Sequence, residues 1–129
     1  MDNILITGAD GQLGSELRSL LERNKDYQCF FTDVSQLDIT DQDAVDSFVS
    51  EHSIKKIINC AAYNNVDGAE TDADAAIKIN VTGPMCLATS ASRHGIYLIH
   101  ISTDFVFAGK KRTPYHESDR PSPLSEYGR

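Results

Sequence analysis

Three glycines at every third position, Gly8, Gly11 and Gly14, stand between an apolar run and an amphipathic one. No other feature of the chain narrows its possible folds as far. Ile4-Leu5-Ile6 reads as a short buried strand. From Ser15 onward a helical pattern begins, with Leu13, Leu17, Leu20 and Leu21 on one face. A strand, a glycine turn and a helix start together make a phosphate cradle. Glycine permits the turn and the close approach, and the helix amino end offers free N–H groups and the positive end of its dipole. The spacing is G-x-x-G-x-x-G rather than G-x-G-x-x-G. It predicts dinucleotide binding; without a ligand it would be a tight strand-to-helix connection.

Further strands and helices alternate along the chain. Tyr27 to Thr32 reads as a second strand, ending at Asp33, which lies 19 positions after Gly14. At that distance an acid closing the second strand meets the adenosine ribose hydroxyls, and its charge disfavours a 2′-phosphate. A capping or turn role is the other reading. Thr40 or Asp41 is suited to cap a helix over Gln42 to Glu51. Asp38 and Ile39 fall in the loop before it, where a doubly wound sheet can border an adenine; plain capping is the alternative. Lys56 to Cys60 is a third apolar run, and the small residues Ala61 and Ala62 at its end would let backbone approach a flat ligand. Asn64 to Glu70 is polar, as a loop or one helical turn.

A long helical pattern runs from about Asp72 to Arg93, with Pro84 inside it. Proline gives no N–H to the carbonyl four residues back, that of Asn80, so the helix should bend there and form a wall of the site. Alternatively, one helix ends near Val81 and another restarts at Pro84. Tyr97 to Ser102 is a fourth strand, with His100 read as a packing residue, and Thr103 to Phe107 follow at its carboxyl end, where open α/β sheets place their chemistry. Ser125 looks like the cap of a new helix containing Tyr127. The pattern predicts an α/β, Rossmann-like, doubly wound parallel sheet in one domain over 1–129, incomplete at the carboxyl end.

The formal net charge of −7 argues against nucleic acid or an anionic membrane as main partner. No uncharged apolar stretch approaches the ~20 residues of a membrane helix. Cys29, Cys60 and Cys86 are odd in number and lack metal-ligand spacing, which predicts reduced, core-filling thiols, no metal site and a cytoplasmic location.

Taken together, Ile6 to Gly14, Leu37 to Asp41, Asn59 to Tyr63, Val66 to Glu70, Ile79 to Pro84, Ser102 to Phe107 and Pro123 to Arg129 resemble the extended short-chain dehydrogenase/reductase superfamily. Within it they resemble the dTDP-4-dehydrorhamnose reductase family. The resemblance implies an NAD(P)-binding domain and reduction of a 4-keto nucleotide sugar by hydride from NADPH or NADH, in nucleotide-sugar biosynthesis. It implies that Gly8, Gly11, Gln12, Leu13 and Gly14 hold the pyrophosphate, Asp33, Asp38 and Ile39 the adenosine end, and Ala61, Ala62 and Tyr63 the ribose and nicotinamide side. Thr103 would hydrogen-bond the substrate carbonyl, Tyr127 would donate the proton, Asp104 and Phe105 would border the sugar, and Asn80 would support the proton path. A homodimer is compatible with this reading.

Two departures from the family pattern stand out. Position 105 is Phe where the family commonly has Tyr, which removes a hydroxyl beside the sugar. The family's Lys follows the Tyr by four residues, beyond Arg129. Such a charge at ~4 Å and an effective dielectric of ~20 is worth up to ~4 kcal/mol, and tyrosine's ordinary pKa of about 10 needs lowering to make it an apt acid. The expectation is an amino-terminal portion that keeps the cofactor cradle and is weakly active or inactive. The alternatives are another NAD-dependent sugar-nucleotide epimerase or dehydratase, and a non-catalytic binder like the regulatory subunit of methionine adenosyltransferase.

Overall fold

A computed structural model describes residues 1–129. Four parallel strands, β1 (Asp2–Thr7), β2 (Tyr27–Thr32), β3 (Lys56–Asn59) and β4 (Tyr97–His100), form one sheet in the order β2-β1-β3-β4. The helices between them are α1 (Gln12–Leu21), α2 (Gln42–Glu51), α3 (Val66–Thr71), α4 (Ala73–Ile77) and α5 (Gly83–His94). The right-handed crossovers required of parallel strands put α1 on one face and α2 and α5 on the other. The chain leaves β1 toward β2 and then returns past it to β3, so the strand order reverses between β1 and β3. That reversal opens a crevice at the carboxyl ends of the strands.

The core lies under α2 and α5, where Leu5 and Ile57, both fully buried, meet Val45, Val49, Leu87 and Ala91. Burying each of the valine, leucine and isoleucine side chains is worth roughly 1.5–3 kcal/mol. The other face is covered unevenly. Ile6, Ile58 and Ile99 lie side by side across β1, β3 and β4. Ile6 is 0% exposed, whereas Ile99 is 42% exposed and Tyr97 on the same strand 66%.

The Asp41 side chain caps α2, accepting from the N–H groups of Asp43 and Ala44 at 3.1 Å each. Where a loop or one helical turn was the expectation, Asn65 caps the six-residue α3 through the N–H of Gly68. The long pattern from Asp72 is helical without a gap from Ala73 to His94. Between α4 and α5, residues Lys78–Thr82 form a π-turn, in which the Gly83 N–H reaches back to the Lys78 carbonyl, one residue further than in an α-helix. Pro84 follows in the first turn of α5. The regular ladder is therefore broken around Asn80, as the proline argument requires. The expected fourth strand is shorter, ending at His100. Ser125 caps a helical turn as expected, its hydroxyl accepting from the Gly128 N–H and its carbonyl from the Arg129 N–H, both at 3.2 Å. No helix is long and apolar enough to cross a membrane. Cys29, Cys60 and Cys86 are all unpaired, and burial pushes each thiol up from its ordinary pKa.

Candidate functional site

A cleft of about 880 Å³ lies over the carboxyl ends of the strands. Gly8, Gly11, Gln12 and Leu13 form one wall. Gly8 has φ +64°, and a Cβ there would stand 2.5 Å from the Ala61 nitrogen, so the turn after β1 lies directly against the backbone after β3. Gly11 is the N-cap of α1, with no side-chain capping bond and no acid in the first turn. This contrasts with α2, whose first N–H groups are taken by Asp41. The amino end of α1 thus keeps its N–H groups and its positive dipole for a group in the cleft. Gly14 is not in the cleft wall. It is buried where α1 meets the turn after β1, and a Cβ on it would lie 2.3 Å from the Gly8 carbonyl oxygen.

Asp33 stands beside this wall. One carboxylate oxygen accepts from the Val34 N–H at 2.8 Å and the other from the Asp10 N–H at 3.1 Å. Each oxygen keeps a lone pair for a further donor. Asp38 lines the same end and accepts from the Thr40 hydroxyl at 2.7 Å and the Thr40 N–H at 2.9 Å. The hydroxyl bond, followed by the N–H bond, holds the Asp38 carboxyl below its usual range. A depressed carboxyl contributes stability above its unfolded pKa of about 3.9 and loses it as pH falls through the folded value. Acid unfolding followed by circular dichroism should therefore show Asp38→Asn converging with the unaltered protein below about pH 4, while lying beneath it at neutral pH. Ile39 is buried at 7% exposure and forms the floor, against Gly83 of α5.

Ala61 and Ala62 line the opposite side. Tyr63 does not line the cleft; its hydroxyl lies against Gly68 of α3. The Tyr63 backbone is instead clamped by Asn80, which accepts from its N–H and donates to its carbonyl, both at 2.8 Å. The Asn80 amide is thus spent on shaping the loop after β3, from the π-turn at which the sequence placed a bend.

Two residues to which the sequence reading gave no part in the site, Asn59 and His100, sit beneath this loop. Asn59, 1% exposed, accepts through Oδ1 from the Thr7 hydroxyl at 2.6 Å and the Ala61 N–H at 3.1 Å. Its Nδ2 lies 3.0 Å from His100 Nδ1. Since Ala61 N–H can only donate, Oδ1 must be the acceptor, Nδ2 the donor, and His100 Nδ1 an acceptor. His100 is therefore not the packing residue expected of a mid-strand position. It ends β4, is exposed, and lines the cleft. A polar residue closing an apolar strand was the available signal for Asn59.

Thr103 and Tyr127 both reach the cleft from the segment after β4. Thr103 Oγ1 accepts from the Phe105 N–H at 3.2 Å, leaving its hydroxyl hydrogen to donate elsewhere. Tyr127 packs edge-on against Phe105, ring centres 5.5 Å apart. Its neighbours fix it further: the Glu126 N–H donates to Glu70 of α3 at 3.0 Å, and buried Gly128 packs against the Phe105 carbonyl. Asp104 and Phe105 border a separate, smaller pocket of about 310 Å³ rather than the main cleft. No three His, Cys, Asp or Glu side chains gather as a metal site.

A family model described as the RmlD substrate binding domain matches residues 1–129. The chain belongs to the RmlD substrate binding domain family. Over all of its length it is 45% identical to a dTDP-4-dehydrorhamnose reductase of Aggregatibacter actinomycetemcomitans, and it spans 44% of that protein. Among solved structures, a dTDP-4-dehydrorhamnose reductase of Clostridium acetobutylicum matches 98% of the chain at 45% identity with a TM-score of 0.93; the match takes in 45% of that structure. A Bacillus anthracis dTDP-4-dehydrorhamnose reductase in complex with NADP matches 99% at 39% identity and a TM-score of 0.95, over 46% of its own chain. This RmlD-family chain thus spans less than half the length of these relatives.

Proposed function

We propose that these 129 residues are the NAD(P)-binding portion of a reductase acting on a 4-keto nucleotide sugar, of the dTDP-4-dehydrorhamnose type. The observation that carries this reading is the convergence on one cleft of the uncapped α1 turn, Asp33, Thr103 and Tyr127. A nicotinamide cofactor fits the donor set. The α1 N–H groups would hold its pyrophosphate, Asp33 its adenosine ribose hydroxyls, and the Ala61-Ala62 backbone its nicotinamide side. When bound, that group supplies a hydride to the sugar's carbonyl carbon.

Charge then develops on the carbonyl oxygen, which needs donors already in place. The Thr103 hydroxyl donates a hydrogen bond to that oxygen. The Tyr127 phenol transfers its proton to it, giving the alcohol and leaving a tyrosinate that regains a proton from solvent. The lining of the cleft holds no lysine, and Arg129, its one arginine, is paired with Glu126 at 2.8 Å. With no free cation beside Tyr127, the 129 residues alone should bind cofactor but turn over weakly.

Calorimetric titration with NADH and NADPH tests the cradle. Nicotinamide absorbance with dTDP-4-dehydrorhamnose tests the reaction, which Tyr127→Phe should abolish. Absence of binding by either cofactor, or undiminished reduction in Tyr127→Phe, would count against the reading.

A further inference from the structure

We infer that Arg18 is the cation that admits a 2′-phosphate at the adenosine end of the cleft, and that Asp10 holds it in reserve. The inference rests on the cofactor reading above and adds to it the residue that sets preference between phosphorylated and unphosphorylated adenosine. An acid facing the ribose repels a 2′-phosphate, and Asp33 is that acid here. No basic residue directly follows β2 in the sequence to offset it.

The fold brings one from α1. The Arg18 guanidinium lies over the Phe31 ring, 5.1 Å from its centre, two residues before Asp33 on the same strand edge. Its Nη2 pairs with Asp10 Oδ1 at 3.1 Å. The backbone N–H of that same Asp10 donates to Asp33. One residue therefore bridges the guanidinium and the carboxylate that meets the ribose.

Three features suit Arg18 to the role. The Asp10 pair is open to solvent, with side chains 39% and 65% exposed, and exposed pairs of this kind hold only weakly. Only Nη2 of Arg18 is engaged, on Asp10, so the exposed end of the guanidinium has donors to spare. A planar guanidinium also matches phosphate oxygens two at a time, and its seat on Phe31 limits the freedom lost on binding. With a 2′-hydroxyl in place, Arg18 stays on Asp10 and Asp33 takes the hydroxyl. With a 2′-phosphate in place, Arg18 leaves the singly charged Asp10 for the more highly charged phosphate.

The test is calorimetric titration of the protein with 5′-AMP and adenosine 2′,5′-bisphosphate, alongside NADH and NADPH. Arg18→Met should lower the ratio of bisphosphate to AMP affinity about tenfold, the value of a charged hydrogen bond. Asp10→Asn keeps the backbone donor to Asp33 and frees Arg18, and it should raise the ratio. A ratio unmoved in Arg18→Met, with AMP still bound, overturns the role of Arg18 and leaves the cofactor reading standing. Failure of the unaltered protein to bind either nucleotide overturns both.

Discussion

Replacing Gly14 with alanine should cost about 3 kcal/mol and lower the thermal midpoint by about 10 °C. The added Cβ would lie 2.3 Å from the Gly8 carbonyl oxygen and 2.6 Å from the Ala9 Cα. Both neighbours are backbone, so no side chain can swing aside; α1 must lift off the turn that follows β1. The backbone angle is not the cause, since Gly14 is helical. Gly95 makes the contrast: its φ is +64°, and a Cβ there would meet nothing within 4 Å. Gly95→Ala should therefore cost only about 1 kcal/mol, through the left-handed angle alone. Thermal unfolding of the two variants separates crowding from conformational strain. Because Gly8 and Gly14 touch through the same oxygen, lifting α1 also reshapes the turn that lines the cleft. Gly14→Ala should consequently lose NADH affinity as well, although Gly14 itself does not reach the cleft.

Asn59→Leu should be nearly as damaging, at about 3 kcal/mol by denaturant unfolding. Leucine is of similar size, so little space is vacated. The loss comes from the donors left behind: the Thr7 hydroxyl and the Ala61 N–H, which point at Asn59 Oδ1 from 2.6 and 3.1 Å. Stranding a buried donor costs roughly 1–3 kcal/mol. The companion Asn59→Asp keeps an acceptor for both, buries a charge, and requires His100 to carry its proton on Nδ1 and donate it to the second carboxylate oxygen. It should retain more stability than Asn59→Leu while changing the His100 ring-nitrogen signals in an NMR spectrum.

How much of this could be read from the chain follows the range of the interactions. Local signals gave the bounds of β2 and α2 and the middle of β1, and left the cap of α2 between Thr40 and Asp41, because each depends on neighbours a few positions away. Pro84 correctly marked a broken ladder at Asn80. The Asn80 clamp on Tyr63, the Asn59 link to His100 and the Glu70 bond to Glu126 join residues 17, 41 and 56 positions apart, and no local pattern carries them. Arg18 escaped attention for the same reason: it belongs to the first helix, whereas the strand it serves comes later. Ser125 was legible for the same reason as Asp41: its hydroxyl accepts from the Gly128 N–H three residues on, a bond between near neighbours.

The uneven cover of the sheet also sets where the fold should open first. Beyond Ile58 the row of isoleucines runs out to β4, whose Tyr97 and Ile99 meet water, whereas Leu5 and Ile57 are fully buried. Thinly covered strands part from the sheet in small local openings, and the core strands only when the whole fold gives way. In deuterium exchange the amides of β4 should therefore label well before those of β1.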